Sequence, residues 1–173
     1  MRPTNALDKI ISIAVLVTCL IVSGISISSA LQRSAWSQRE PQEGDIGRHI
    51  HITGVQWKSH KASLVLVLNT QCHFCDASVP FYRSLTELES RNMPLALVAV
   101  FPQAKEDVTL YTARKALKFT TVITDQGDLL GAAGTPTIFL IDSFGIVRNR
   151  WQGLLKTEQI NDVVKTAKEL LGA

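Results

Sequence analysis

Two apolar runs constrain this chain more than any other feature. Leu64 to Asn69, wholly apolar through Leu68, and Leu95 to Phe101 each read as a strand covered on both faces. Between them, Asp76 to Arg91 carries Val79, Leu85 and Leu88 near helical spacing; Pro80 should kink this helix and Met93-Pro94 should end it. A strand–helix–strand unit needs a crossover connection, and crossovers build parallel sheets. Lys105 to Lys118 predicts a second helix with Val108, Tyr111, Ala116 and Leu117, and Thr120 to Thr124 a short strand. Asp128 to Ala133 predicts a single helical turn. Thr137 to Ile141 is another apolar strand, joined through the turn Asp142-Ser143-Phe144-Gly145 to a hairpin partner, Ile146 to Trp151. Thr157 to Leu171 closes the chain as an amphipathic helix, with Thr157 as N-cap and Ile160, Val163, Val164, Ala167 and Leu171 inward. Ahead of all this, His49 to Thr53 alternates as a short strand would, and Val55-Gln56-Trp57 continues it. The order predicts an α/β fold with a mixed sheet flanked by helices.

With 173 residues the chain supports one domain and an appendage. The appendage is the stretch from Ile10 to Leu31, free of charge, preceded by Arg2 and Lys9. About 20 such residues span a hydrocarbon layer as a helix. The expected organisation is therefore a signal-anchor or transmembrane helix over 1–31, a polar linker over 32–43 and a folded domain over 44–173. The apolar core exceeds the roughly 7–15 residues of a cleaved signal, which favours the anchor. Ser28-Ser29-Ala30 offers an exit site, so a secreted form cleaved near Ala30 is the other reading. Cys19, inside the apolar stretch, reads as a small membrane-helix residue rather than a lipidation site. A single N-terminal apolar segment ahead of a globular domain places that domain on the extracytoplasmic side, periplasmic or outer-facing, where disulfides persist. The net charge of +3 comes from basic residues scattered among acidic ones, with no stripe suited to nucleic acid.

The chemistry concentrates in Cys72-His73-Phe74-Cys75, at the junction of the first apolar strand and the helix after it. A sulfur at a helix N-terminus is favoured as thiolate by unpaired amides and the macrodipole. The second cysteine lies one turn further in, able to close a ring with the first. On its own the spacing also spells half a zinc site.

Gly134-Thr135-Pro136-Thr137, opening a later apolar strand, provides the second signal. Together with the N-terminal apolar segment, the early strand, Pro80 and the run Gly134 to Asp142, the pattern resembles membrane-anchored thioredoxin-fold thiol–disulfide oxidoreductases of the TlpA/ResA type. The resemblance covers roughly Gly44 to the C-terminus. It implies a thioredoxin-like fold, Cys72 as nucleophile, Cys75 as resolving thiol, and no cofactor beyond a redox-active Cys72–Cys75 disulfide. It further implies a cis peptide before Pro136 packed beside the cysteines, and Thr135 backbone available to pair with an extended substrate strand. Expected partners are protein thiols and disulfides and a redox partner protein, with the membrane contacted through the N-terminal helix.

The chain departs from that pattern in four places. Gln71 stands where Trp is common before the first cysteine, and His73-Phe74 lacks the frequent proline. Ser78 stands where a Glu is frequent, and the cysteine strand carries no acid. A cationic His73 could stabilise the Cys72 thiolate in place of such a group, or simply be an exposed helix-start residue. Phe74 reads as a shield and apolar contact for substrates, and Asp76 as a first-turn acid favoured by the helix dipole.

Other readings of the same residues stay open. Cys72, Cys75 and His73, joined by either His60 or the His49/His51 pair, could bind a soft ion such as Cu(I), as a copper-binding or chaperone module would. A peroxiredoxin-type peroxidase would want Thr-x-x-Cys, but Thr70 stands only two residues before Cys72. An inert structural disulfide is disfavoured by the exposed helix-start position, since accessible disulfides are the labile ones.

Overall fold

The computed structural model of the chain describes residues 45–90 and 94–172. The predicted anchor, the linker and Gly44 lie outside the described residues, as do Arg91 and Met93. No helix among the described residues is long and apolar enough to cross a membrane.

Five strands form one mixed sheet: β1 (Ala62–Val67), β2 (Leu95–Val100), β3 (Thr121–Ile123), β4 (Thr137–Asp142) and β5 (Val147–Gln152). Their order is β3-β2-β1-β4-β5. β1 pairs in parallel with β2, and β2 with β3; β4 runs antiparallel to both β1 and β5. β1, β2 and β4 are buried at every residue, as their unbroken apolar runs predict.

The helices are α1 (His73–Ala77), α2 (Val79–Ser90), α3 (Lys105–Arg114) and α4 (Thr157–Leu171). All of them pack on one face of the sheet. Leu64, Leu66, Leu97, Ala99, Ile138 and Leu140 meet Cys75, Tyr82, Leu85, Tyr111, Val163 and Ala167 there. Two right-handed crossovers that step in the same direction across a sheet leave their helices on the same side. The opposite face is covered without a regular helix: Val65, Val67, Val98, Val100, Phe139 and Ile141 lie under Ile50, Ile52, Trp57 and Leu130.

That cover corrects the early strand. His49 makes a single antiparallel bridge to Ile146, and Trp57–Ser59 is a 3-10 turn. The glycines at 47 and 54 stand at φ of +85° and +86°, which breaks any continuous ladder through this stretch. Its alternating pattern therefore records an extended lid, with Ile50 and Ile52 down on the sheet.

Three further expectations change. The helix foreseen over 76–91 is interrupted at Ser78, which separates α1 from α2; Pro80, in the first turn of α2, has no N–H to continue the ladder back to Asp76. The helix foreseen to Lys118 stops at Arg114, because Ala116 takes a positive φ of 50° and Leu117 N–H turns back to the Thr112 carbonyl at 2.9 Å. The N-cap of α4 is Lys156 rather than Thr157, and its N–H donates to Gln159 Oε1 at 3.0 Å.

Two buried polar side chains tie the edges. Asp142, 5% exposed, accepts from the amides of Phe144 and Ile146 at 2.8 and 3.0 Å and from Arg148 Nε at 2.7 Å, fixing the β4–β5 turn. Arg150, equally buried, pairs with Asp45, donates to Gln152 Oε1 at 2.8 Å and lies over the Phe139 ring.

Candidate active site

One rung of the sheet places the site. Val67, the last residue of β1, stands opposite Thr137, the first of β4. The chain leaving β1 therefore runs to Cys72 beside the chain entering β4 through Thr135 and Pro136. The Thr135–Pro136 peptide is cis, with Pro136 buried and Thr135 half-buried. Asn69 organises the turn between β1 and α1: its carbonyl accepts from Cys72 N–H at 3.1 Å and its Oδ1 from Gln71 N–H at 2.8 Å. Gln103, beyond β2, steadies the same turn by accepting Thr70 N–H at 3.3 Å.

Cys72 is the N-cap of α1. Its sulfur occupies the place of a capping oxygen, accepting the Cys75 N–H at 3.2 Å. From the other side the Cys72 thiol donates to the Thr135 carbonyl at 3.3 Å, so this one atom links the two halves of the site. Partial burial works against ionising it, but hydrogen bonding with the side chains of Cys75 and Thr135 and from the amides of Cys75 and Phe74 outweighs that penalty. The thiol is held below its ordinary value.

Cys75 is fully buried, and burial, followed by its hydrogen bond with Cys72, pushes its thiol far up. Both sulfurs are free thiols. The pair is thus divided into an accessible, acidified outer sulfur and a protonated inner one.

His73 and Phe74 both face solvent, Phe74 at 52% exposure, with their rings 5.9 Å apart. The groups that acidify Cys72 are Cys75, Thr135 and the Phe74 amide; the charge of His73 bears on Asp76. Asp76 pairs with Lys115 Nζ at 3.0 Å, across from the end of α3, and this lysine, with the Tyr111 hydroxyl, holds the carboxyl below the usual range. Ser78, at the position where a glutamate is frequent in the resembling family, donates its hydroxyl to the Phe74 carbonyl at 2.8 Å.

Two residues near the sulfurs escape a reading by motif. Tyr82 and Tyr111 both enter the core cluster that holds Cys75, with the Tyr111 hydroxyl beside the Asp76 carboxylate and the Tyr82 hydroxyl beside Ser78. Tyr82 lies on α2, past the break at Ser78, so no helical spacing from Cys75 singles it out in the sequence. Among the described residues no cluster of three or more His, Cys, Asp or Glu could hold a metal ion. His49 instead packs against the turn at Gly145.

The strand order, the cysteine-bearing helix start and the cis-proline turn beside it define a thioredoxin-like fold. No family model and no curated protein sequence matches the chain. Solved structures do match. A thiol:disulfide interchange protein of DsbE type from Chlorobium tepidum is 24% identical with a TM-score of 0.57, over 66% of this chain and 82% of that one. StoA from Bacillus subtilis is 18% identical with a TM-score of 0.51, over 61% and 84%. The thioredoxin domain of a thiol-disulfide oxidoreductase from Bacteroides vulgatus is 15% identical with a TM-score of 0.53, over 75% and 98%. At these identities the likeness is one of fold.

Proposed function

We propose that this chain is a thiol–disulfide oxidoreductase acting on protein thiols and disulfides through Cys72 and Cys75. The observation that carries the reading is the environment of Cys72 Sγ, between the Cys75 amide at 3.2 Å and the Thr135 carbonyl at 3.3 Å. The donors to this sulfur, led by the Cys75 amide, favour its thiolate, the carbonyl contact holds it beside the Thr135–Pro136 turn, and a second, protonated thiol one turn away is positioned to displace what the first has captured. The Cys72 thiolate attacks a substrate disulfide, forming a mixed disulfide and releasing one substrate sulfur as thiolate. Cys75 then loses its proton and attacks the Cys72 sulfur. The Cys72–Cys75 disulfide forms and the second substrate sulfur leaves with the electron pair; the reverse sequence oxidises a substrate dithiol. Thr135 and the cis Pro136 form the wall beside Cys72 where an extended substrate strand pairs. The solvent-facing Phe74 adds apolar contact, and His73 adds a cation when protonated.

The apolar segment within residues 1–31 supports membrane attachment with this domain on the extracytoplasmic side, where a redox partner resets the cysteine pair. Trapping tests the reading. Cys75→Ser should accumulate covalent adducts with substrate proteins that dissolve on reduction, and Cys72→Ser should not. Equal trapping by both variants, or by neither, would sink the assigned roles.

A further inference from the structure

On the cysteine side, the Thr135–Pro136 turn is held by the Cys72 thiol, which donates to the Thr135 carbonyl at 3.3 Å. Its other side carries a second set of contacts that the exchange reaction does not use. The chain enters the turn from a strained stretch, with Leu130 at φ +58° and Gly131 at φ +75°. A leucine in the left-handed region persists only where its surroundings hold it there. Arg48 does the holding. Its Nη2 donates to the Leu130 carbonyl at 2.7 Å, and its guanidinium lies so close over Gly131 that a Cβ there would meet Nη1 at 3.2 Å.

Arg48 is fixed in turn by Asp45, whose Oδ1 lies 3.4 Å from its Nε. The other oxygen of that carboxylate pairs with Arg150, which is 3% exposed and lies over the Phe139 ring. Arg150 carries the hold onward, its Nη2 donating to Gln152 Oε1 at 2.8 Å. With its oxygen so occupied, Gln152 presents Nε2 to Gly134, 3.4 Å from where a Cβ would stand. Gly134 directly precedes Thr135, and its carbonyl accepts from Thr137 Oγ1 at 2.7 Å, on the rung that pairs Thr137 with Gln152. Gly153 N–H closes the edge on the Pro136 carbonyl at 2.8 Å. One carboxylate thus holds two arginines, which reach the approach to the turn at Leu130 and, through Gln152, at Gly134. Leu130 and Phe139 belong to the sheet face opposite Cys75, so the turn is held from both faces. A buried ion pair adds little stability over apolar side chains of the same volume, whereas its charge-assisted hydrogen bonds fix direction. Orientation of the turn is what such a clasp supplies.

We propose that Asp45, Arg48, Arg150 and Gln152 are positioning residues for the substrate chain: they fix the backbone from Gly134 to Pro136 so that Thr135 meets an extended peptide in the register that attack by Cys72 requires. This role rests on the exchange reading above and deepens it. The four side chains make and break no covalent bond. Cys72 is positioned separately, by its own helix start, through the Asn69 carbonyl and the Cys75 amide. The clasp therefore governs how a peptide is held more than how readily the sulfur reacts. A small disulfide, with no backbone to pair, has little need of it.

The test uses the full chain, reduced, in detergent, with two probes that release the same chromophore. One is 5,5′-dithiobis(2-nitrobenzoate); the other is a linear peptide whose single central cysteine is disulfide-bonded to thionitrobenzoate. With either, the Cys72 thiolate bonds to one sulfur of the probe, the probe's disulfide breaks, and thionitrobenzoate leaves as thiolate. In Gln152→Ala and Arg150→Met the ratio of the peptide rate constant to the small-probe rate constant should fall about tenfold, through a higher half-saturating peptide concentration at a similar limiting rate. In the double variant the two losses should not multiply, because the side chains act as one chain of contacts. A ratio equal to wild type in Gln152→Ala, or losses that multiply, would overturn the positioning role and leave the exchange reading intact. A wild-type chain that retains the peptide as firmly as Cys75→Ser would overturn the exchange reading and this role with it. Thermal unfolding within a few degrees of wild type establishes that each variant is folded. Gln152→Ala leaves the Asp45–Arg150 pair in place and decides the matter where Arg150→Met does not fold.

Discussion

Gly145→Ala tests whether the face of the sheet opposite the cysteines is held as described. Gly145 stands at φ +80°, and a Cβ built there would lie 2.7 Å from Trp57 Cδ1, 2.9 Å from Trp57 Nε1 and 3.0 Å from His49 Nε2. The left-handed backbone costs an alanine about 1–2 kcal/mol, of which about 0.4–1 returns through the stiffer unfolded chain. The indole must then retreat, and it is not free to do so. Its N–H donates to the Ile50 carbonyl at 3.0 Å in a buried setting, and losing that bond costs a further 1–3 kcal/mol, roughly. The expected loss is about 3 kcal/mol, which at a urea slope of about 1.5 kcal/mol per molar lowers the unfolding midpoint by about 2 M. Gly54→Ala is the control. Its φ is +86°, but nothing lies within 4 Å of the added carbon, so only the backbone term applies and the loss should stay near 1 kcal/mol or less. Urea unfolding followed by tryptophan fluorescence reads both. Equal losses in the two variants would refute the contact between the turn and Trp57. Cys72 alkylation in folded Gly145→Ala should match wild type, because the sheet stands between the two regions.

Other expectations concern the site and the hairpin. Iodoacetamide should modify Cys72 and spare Cys75 in the native state, with a rate that titrates below the ordinary thiol value; Thr135→Val should move that titration upward, and an unmoved profile would remove Thr135 from the acidifying set. Asp142 is opposed by burial but held ionised by the Ile146 and Phe144 amides and by Arg148, so its folded pKa is depressed. Its contribution is therefore fully present above the unfolded carboxyl value and is lost as pH falls through the lower folded one. Asp142→Asn should cost about 2 kcal/mol at neutral pH, and the gap from wild type should close in acid; a gap that stays constant in denaturant midpoints down to strong acid would contradict this.

Much of the fold was legible because burial leaves a plain mark on strands. β1, β2 and β4 are apolar at almost every residue, since each is covered on both sides, and the cysteine and Thr-Pro motifs sit where the first and last of them meet. The lid over residues 48–57 was misread for an equally physical reason. An extended segment lying on a sheet alternates in the same way as a strand within it, and only Gly47 and Gly54 distinguish the two. The break at Ser78 was seen as a kink at Pro80, two residues late, because a proline disturbs the turn before it. Tyr82 and Tyr111 were legible only as core aromatics. Nothing in one sequence separates a tyrosine whose hydroxyl reaches solvent from one whose hydroxyl is buried.

The rung joining Val67 to Thr137 has a consequence for how this protein tolerates insertions and deletions. Side chains alternate along both strands, so removing or adding one residue within β1 or β4 would turn every partner over and carry Pro136 away from Cys72. The connection from Phe101 to Gly134, which holds α3 and β3, enters the same rung only at its far end. Length can change there without altering the spacing of the two motifs, so a chain of this kind should accept extra residues in that excursion and reject a single one in either strand.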